Sequence, residues 1–373
     1  MTPQAARRIV HISTVHSAID PRIRLKQLRS LVKLGLEAHL VTADPASGRY
    51  ESDGVIVHQI GRDRSNRLRR MLVLAPRAIW KALLTPAAAY HIHDPELTLW
   101  AWVLRARMVP IVYDVHEDFA LFMRHKPYIP ATVGRMMGAG VGLVEKILTA
   151  GFRVVIAEHC YRTRFARSTV ILNYPHRTML DSPPSRRGAP KNLIYTGNVT
   201  VARGAINMAR VVREDPDVAV DCVGQCASSV ANRIREAAGD AFGRFHIVGQ
   251  DRYVPFEEIT AHYARKDLLA GIVLIPDSPH YRDKHLTKFY EYMAAGLPII
   301  ASDFPTWRRL IADQGLGICV DAEDPAAVAR AVDRLARSPD TVCSMGERGR
   351  RLVESRYSWE RQEQTLLSVY LRI

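Results

Sequence analysis

The segment His285–Asp303 combines a helix start with opposite charges at helical spacing. Thr287 opens the helical period, Lys288 falls in the first turn, and Glu291 lies one turn later on the same face. The uncapped amides and positive dipole end of a helix attract a phosphate group. A lysine in that turn opposes the dipole and is best tolerated where an anion sits beside it. Glu291 could accept hydrogen bonds from two adjacent hydroxyls, as a ribose offers. A surface helix with an incidental charge pair is the competing reading. In the first half, His91-Ile92-His93-Asp94-Pro95-Glu96 follows a strand and opens a helix, and strand alternation sends His91 and His93 to one face. Two histidines and two carboxylates are metal-ligand types. The carboxylates sit past the strand end, however, and no third cluster joins them, so we expect no metal.

Two further strand ends carry polar groups. Thr14 to Lys26 includes His16, Asp20, Arg22 and Lys26, and Tyr113 to Asp118 includes His116 and Glu117. Side chains at the carboxyl ends of parallel strands face the ligand side of a sheet. Asp20, Arg22 and Lys26 therefore become candidates for orienting a charged or polyhydroxyl acceptor, with Asp20 as a plain helix N-cap the alternative. His116 and Glu117 are either acceptor ligands or a satisfied core pair. Beyond the midpoint, Leu193-Ile-Tyr195-Thr-Gly197 leads to Arg203-Gly204, where a glycine after a strand would let the backbone approach a phosphate.

The elements that must position these residues follow a βαβ rhythm. Strands are expected at Ile9–Val15, Ala38–Thr42, Tyr90–His93, Ile111–Val115, Val154–Ala157 and Val170–Leu172, with helices over Ile23–Leu34, Glu96–Arg107 and Val133–Leu148. A stretch dense in Pro, Ser and Arg, from Ser182 to Pro190, reads as a linker. Beyond it the rhythm restarts at Leu193 and runs to a helix ending near Ser355. We expect an α/β chain of two doubly wound, Rossmann-like domains facing across a cleft, 1–175 and 192–356, with a linker at 176–191. Length agrees: 373 residues suit two domains of ordinary size.

Charge is uneven. Residues 1–190 hold 28 basic and 14 acidic side chains, whereas 191–373 hold 24 of each, so the whole net charge of +14 lies in the first half. Such a half is expected to meet a polyanion. Arg62, Arg64, Arg67, Arg69, Arg70, Arg77 and Lys81 flank Leu68, Met71 to Leu74, Ile79, Trp80, Leu83 and Leu84, with Asp63 the only acid among them. A basic, aromatic-bearing segment of this kind can lie in the headgroup plane of an anionic membrane. The 47% hydrophobic composition excludes a disordered or collagen-like chain. Five scattered cysteines, without an apolar leader run at the start, lead us to expect a reducing cytosol. Cys222 and Cys226 lack a second pair at zinc spacing.

Lys288-Phe-Tyr-Glu291-Tyr-Met-Ala-Ala-Gly296-Leu-Pro298 resembles the nucleotide-sugar-binding segment of the retaining GT-B glycosyltransferases of family 4. The resemblance implies that Glu291 binds ribose and that an acid eight positions ahead, here Asp283 in place of the family's glutamate, contacts the donor sugar. Leu193 to Gly204 is similar to the family's first strand and loop of the donor domain. Arg203 and Lys288 would then neutralise the departing diphosphate, with Gly197 and Thr287 lining the same site. The H-x-H-[DE]-P segment implies that His93 lies beside the donor sugar. The opening loop lacks the family's glycine pair, and Val15 to Ala18 stands in its place. Tyr357 to Tyr370 resembles the terminal helix, which implies that 357–373 packs back on the N-terminal domain.

The expectation is a metal-independent transferase with no cofactor, which moves a sugar from a UDP- or GDP-sugar donor to a saccharide acceptor, lipid-linked, at the inner face of the cell membrane. A sugar-nucleotide 2-epimerase of the same fold is the alternative. It would leave the basic half without a purpose. A dinucleotide oxidoreductase is disfavoured because G-x-G-x-x-G is absent after the first strand. Nucleic acid is not expected, since no aromatic residues interleave the basic ones in a recognition motif.

Overall fold

A computed structural model of the chain describes residues 8–44, 47–61, 67–124, 129–180 and 190–371. The chain divides into two compact units, one made of residues 1–173 with 360–373, the other of 174–359. Most of the expected linker, Ser182 to Ala189, lies outside the described residues.

The first unit is built on eight strands: β1 (Arg8–Ser13), β2 (Glu37–Thr42), β3 (Ser47–Ser52), β4 (Val55–Ile60), β5 (Ala89–Ile92), β6 (Ile111–Val115), β7 (Arg153–Ile156) and β8 (Thr169–Val170). Their order is β3-β4-β2-β1-β5-β6-β7-β8, parallel except for the edge strand β3. β5 and β6 are buried along their whole length, as expected of strands covered by helices on both faces. Val10, Ile12, Tyr90, Ile92 and Tyr113 lie at the centre of the core. The β3–β4 hairpin turns on Asp53-Gly54, both with positive φ (52° and 74°), the conformation that a two-residue hairpin loop favours.

Two helices differ from expectation. The helix after β1 starts at Pro21 and runs wide as a π-helix to Leu28 before tightening over Arg29–Lys33. The segment after β5 breaks into Pro95–Leu97, Thr98–Ala101 and Trp102–Arg107, where only the middle piece is α-helical. There the indole N–H groups of Trp100 and Trp102 are drawn to the carbonyls of Met71 and Leu148.

The second unit is a six-stranded parallel sheet: β9 (Asn192–Thr196), β10 (Ala219–Val223), β11 (Phe245–Ile247), β12 (Leu268–Val273), β13 (Ile299–Ser302) and β14 (Gly317–Val320). The order is β11-β10-β9-β12-β13-β14, so β9 and β12 meet at the centre where the winding reverses. Ligands bind open α/β sheets at this reversal. The helix Thr287–Ala294 packs flat there because Gly271 of β12 has no side chain. A Cβ at Gly271 would sit 2.3 Å from the Tyr292 ring, whose hydroxyl donates to Ile194 O at 3.1 Å. At the ends of β9 and β10, a Cβ at Gly224 would lie 2.0 Å from the Gly197 carbonyl oxygen, so those two loops touch backbone to backbone.

Candidate active site

In the second unit, the amino end of the Thr287–Ala294 helix carries no side-chain cap. Lys288 is 8% exposed, and its ammonium sits 3.8 Å above the Tyr195 ring centroid. Burial, and then the charge of Arg203, push its pKa well below the ordinary lysine value. Among the described residues no carboxylate lies within ion-pair distance of Lys288. A buried ammonium close to a second cation and over an aromatic face is in surroundings that an anion would relieve. Gly197, in the left-handed region at φ 95°, keeps the space beside that ammonium open, since a Cβ there would come within 3.8 Å of it. Its own N–H is committed to Val223 O at 2.9 Å. Gly197 therefore contributes room rather than a hydrogen bond. The Arg203 Nε donates to the Tyr281 hydroxyl at 3.3 Å, which steers the guanidinium.

Glu291 is also buried, and its Oε2 accepts from the Tyr263 hydroxyl at 2.8 Å. Tyr263 is fixed in turn by Thr196 Oγ1 at 2.7 Å. This arrangement aims the carboxylate one turn along from Lys288. Asp283 is exposed; it takes a 3.4 Å contact from Thr306 Oγ1 and borders an acidic cavity of about 500 Å³ with Asp277, Asp303 and Asp321. Cys222 is a core thiol that burial pushes up.

In the first unit, the parallel register sets His11 of β1 directly beside His91 of β5. Alternation then puts His11, His91 and His93 on one face. His93 is enclosed: its Nε2 meets His11 Nδ1 at 2.9 Å and its Nδ1 meets His116 Nε2 at 3.0 Å. Both of its ring nitrogens are therefore engaged by neighbouring imidazoles in this structure. The ring of the row that reaches solvent is His116, with 14% of its side chain exposed. Burial pushes His91 down to about 3, and holds His11 and His93 well below the ordinary histidine value, so all three are neutral. Behind them stands Asp114. Burial works against its charge, but Arg22 holds it well below the carboxylate range.

Arg22, expected on the acceptor side, is engaged within the first unit. It is buried, with Nε and Nη2 on Asp114 at 3.1 and 2.8 Å and Nη1 on Ile171 O at 2.8 Å, so each of its three nitrogens already donates within the unit. Asp20 caps the following helix through Arg22 N and Ile23 N at 2.9 and 3.0 Å, and its other oxygen pairs with His16 Nδ1 at 2.9 Å. Although burial opposes both charges, this pairing raises His16 to about 9 and lowers Asp20 to about 2. Glu117 is exposed. The amides of Thr14 and Val15, which a diphosphate could have used, instead donate to Asp94 Oδ2 at 2.6 and 3.2 Å. An internal carboxylate therefore fills the place of an external anion.

Two groups here have metal-ligand composition: His11 with His91 and His93, and His93 with Asp114 and His116. In the second, Asp114 Oδ2 already accepts from Arg22 and from Gln27 Nε2 at 2.7 Å, and a divalent ion would sit close to the Arg22 charge. This donor set suits a hydrogen-bond network better than a metal.

Comparisons with known proteins identify the family and the fold. Residues 22–172 match the family model for a glycosyl transferase 4-like domain, and residues 190–338 match that for glycosyl transferases group 1. Spore coat protein SA of Bacillus subtilis is 38% identical over 82 residues, which cover 22% of this chain and 22% of that protein. The phosphatidyl-myo-inositol mannosyltransferase of Mycolicibacterium smegmatis is 23% identical over 294 residues, 75% of this chain and 70% of its own length. Among solved structures, sucrose-phosphate synthase from Thermosynechococcus elongatus superposes with a TM-score of 0.76 at 17% identity, over 98% of both chains. HepE from Anabaena, in complex with UDP and glucose, gives 0.73 at 12% identity over 98% of this chain and 99% of its own. The chain belongs to the group 1 glycosyltransferases of the family 4 type, on the GT-B fold.

Proposed function

We propose that the chain transfers a sugar, with retention of configuration, from a UDP- or GDP-sugar to a saccharide acceptor that is lipid-linked. The observation that carries this reading is Lys288: a buried ammonium without a carboxylate partner among the described residues, held over Tyr195, influenced by Arg203 and one turn from Glu291. A diphosphate satisfies both cations, and the adjacent ribose hydroxyls reach Glu291. The bond from the sugar carbon to the phosphate oxygen breaks as the acceptor oxygen bonds to the same face of that carbon. The acceptor's proton passes to the leaving phosphate oxygen. Charge developing on that phosphate meets Lys288 and Arg203, which supply without a metal the stabilisation that a divalent ion gives elsewhere. Asp283 contacts the donor sugar, while Asp20, His116 and Glu117 lie on the acceptor side, and His93 acts through His116.

A membrane-facing role for the first unit is supported by its surface. Leu72, Trp80 and Leu84 are exposed on the segment that carries Arg77 and Lys81, whereas Leu74, Ala78 and Ile79 of that segment are buried in the core. Arg62, Asp63 and Arg64 lie outside the described residues, as does the side chain of Arg67. No helix among the described residues is long and apolar enough to cross a membrane. The mannosyltransferase relative is named for a phosphatidylinositol acceptor, which favours a lipid-linked acceptor at the inner membrane face.

Thermal shift with UDP, GDP and ADP and with their sugar conjugates, followed by NMR of the product's anomeric configuration, tests the reading. Stabilisation by one diphosphate and an unchanged anomeric configuration are expected. Inversion, or release of an epimerised sugar nucleotide without transfer, refutes it.

A further inference from the structure

The first unit contains a continuous row of hydrogen bonds that passes through the last helix, Trp359–Leu371, before its far end at His91. From the open end it runs His116 Nε2 to His93 Nδ1 at 3.0 Å, His93 Nε2 to His11 Nδ1 at 2.9 Å, His11 Nε2 to the Tyr370 hydroxyl at 3.0 Å, and that hydroxyl to His91 Nδ1 at 2.5 Å. A neutral imidazole has one N–H, so each inner ring must donate through one nitrogen and accept through the other. A hydroxyl has one hydrogen and obeys the same rule. Only two orders satisfy every link, and fixing one link fixes them all.

Asp114 distinguishes the two orders. Its Oδ2 lies 3.5 Å from His116 Nε2, 3.7 Å from His93 Nδ1 and 3.8 Å from His91 Nε2. When the row donates from His116 toward His91, two of these three nitrogens bear a hydrogen near the carboxylate. In the reverse order only one does, and the buried His91 Nε2, which has no hydrogen-bond partner, turns a bare lone pair toward a negative charge. Asp114 is kept ionised by Arg22. The forward order therefore wins on electrostatics.

We propose that Asp114 and Tyr370 lock this row in the forward order, so that His116 is held as the Nε2–H tautomer and presents its Nδ1 lone pair to the acceptor hydroxyl. Tyr370 is thus a positioning residue that acts through two buried rings. Its hydroxyl accepts from His11 and donates to His91, and without it the row loses the anchored end that opposes reversal. Among the described residues no protein hydrogen bond ends on His116 Nδ1, which leaves that lone pair for an acceptor sugar. The role toward the sugar rests on the transferase reading above; the tautomer order does not.

The test is a two-bond proton–nitrogen NMR correlation on the full chain, labelled with nitrogen-15 at histidine, at neutral pH. Nε2–H patterns for His11, His93, His116 and His91 are expected. An Nδ1–H pattern at His116 or His93 overturns the proposal. Tyr370→Phe keeps the ring and removes the anchor: His11, His93 and His116 should shift to averaged patterns. Turnover at saturating acceptor should fall about tenfold, while the thermal shift given by the diphosphate stays as in the wild type. Unchanged tautomers in the variant also overturn it. If the variant fails to fold, the wild-type spectrum decides alone. Forward-order tautomers in a chain that transfers no sugar would refute the transferase reading and leave the order standing.

Discussion

Replacing Lys288 with methionine should move stability and activity in opposite directions. The substitution keeps the length of an unbranched chain over Tyr195 but removes a charge that burial disfavours and that no carboxylate among the described residues pairs with. Replacing buried ionic groups with apolar ones of similar volume is neutral or stabilising by about 1–4 kcal/mol. In a unit of this size each kcal/mol is worth about 2–4 °C, so a melting temperature several degrees higher is expected. Turnover should fall about 10²–10³-fold, the loss typical of one group that stabilises developing charge. The pH dependence adds a signature. Because the folded pKa of Lys288 is lowered, the unfolded chain holds a proton that the folded chain lacks between that value and the ordinary 10.5. Stability of the wild type therefore rises with pH across that window. The variant loses that slope. Diphosphate binding favours the charged ammonium and takes up the proton, so wild-type affinity should weaken as pH rises. Calorimetry with and without diphosphate, in buffers of different ionisation enthalpy, measures both effects. A variant that loses stability and activity in parallel, or one that keeps full turnover, would show Lys288 to be structural.

Other outcomes follow from the same contacts. Arg22→Gln leaves the buried Asp114 without its bidentate partner and should cost about 3–5 kcal/mol in denaturant unfolding; a loss below about 1 kcal/mol contradicts the assignment. Asp20→Asn should cost about 1–2 kcal/mol. That cost is full between about pH 4 and 6.5, fades as pH rises through about 9 because His16 has the raised pKa, and fades again as pH falls through about 2 because Asp20 has the lowered one. A pH-independent cost would reduce Asp20 to its capping role. Gly224→Ala drives a methyl group into the Gly197 carbonyl and should lower both melting temperature and diphosphate affinity; unaltered binding would separate this loop from the donor site. Transfer should survive EDTA, and loss restored by manganese or zinc would assign a metal to the histidine row. The full chain should co-sediment with anionic liposomes more than with neutral ones, less so as salt rises. Equal binding to both would remove the membrane role.

Lys288, Glu291, Thr287 and Arg203 stand out in the sequence because each lies in a local pattern: a helix start, a one-turn spacing, a strand followed by a glycine loop. What orients them was not readable. Tyr263 meets Glu291 across 28 residues and Tyr281 meets Arg203 across 78, with nothing in either neighbourhood to mark the pairing. Arg22 appeared free in sequence because its partner, Asp114, is 92 residues away, on a strand whose apolar neighbours conceal a buried charge. The alternation that placed His91 and His93 on one face was correct, but the register of β1 against β5, which brings His11 alongside, is a property of the sheet. A local signal does mark the β3–β4 hairpin: Asp53-Gly54 between two short β-prone runs.

The return of the chain to its first unit has a consequence for synthesis. Residues 174–359 form one uninterrupted unit, whereas the first unit takes its final piece, Glu360 onward, only after that unit has been translated. His91 is joined by its hydroxyl partner 279 residues later. At about 5–20 residues per second, that interval lasts roughly 14–56 s. During it the nascent first unit holds buried imidazoles with no Tyr370 to close their row, while the later, contiguous unit already has every residue it needs. Of the two units, the one whose translation starts earlier is therefore completed later, and the Trp359–Leu371 helix is the latch on its assembly.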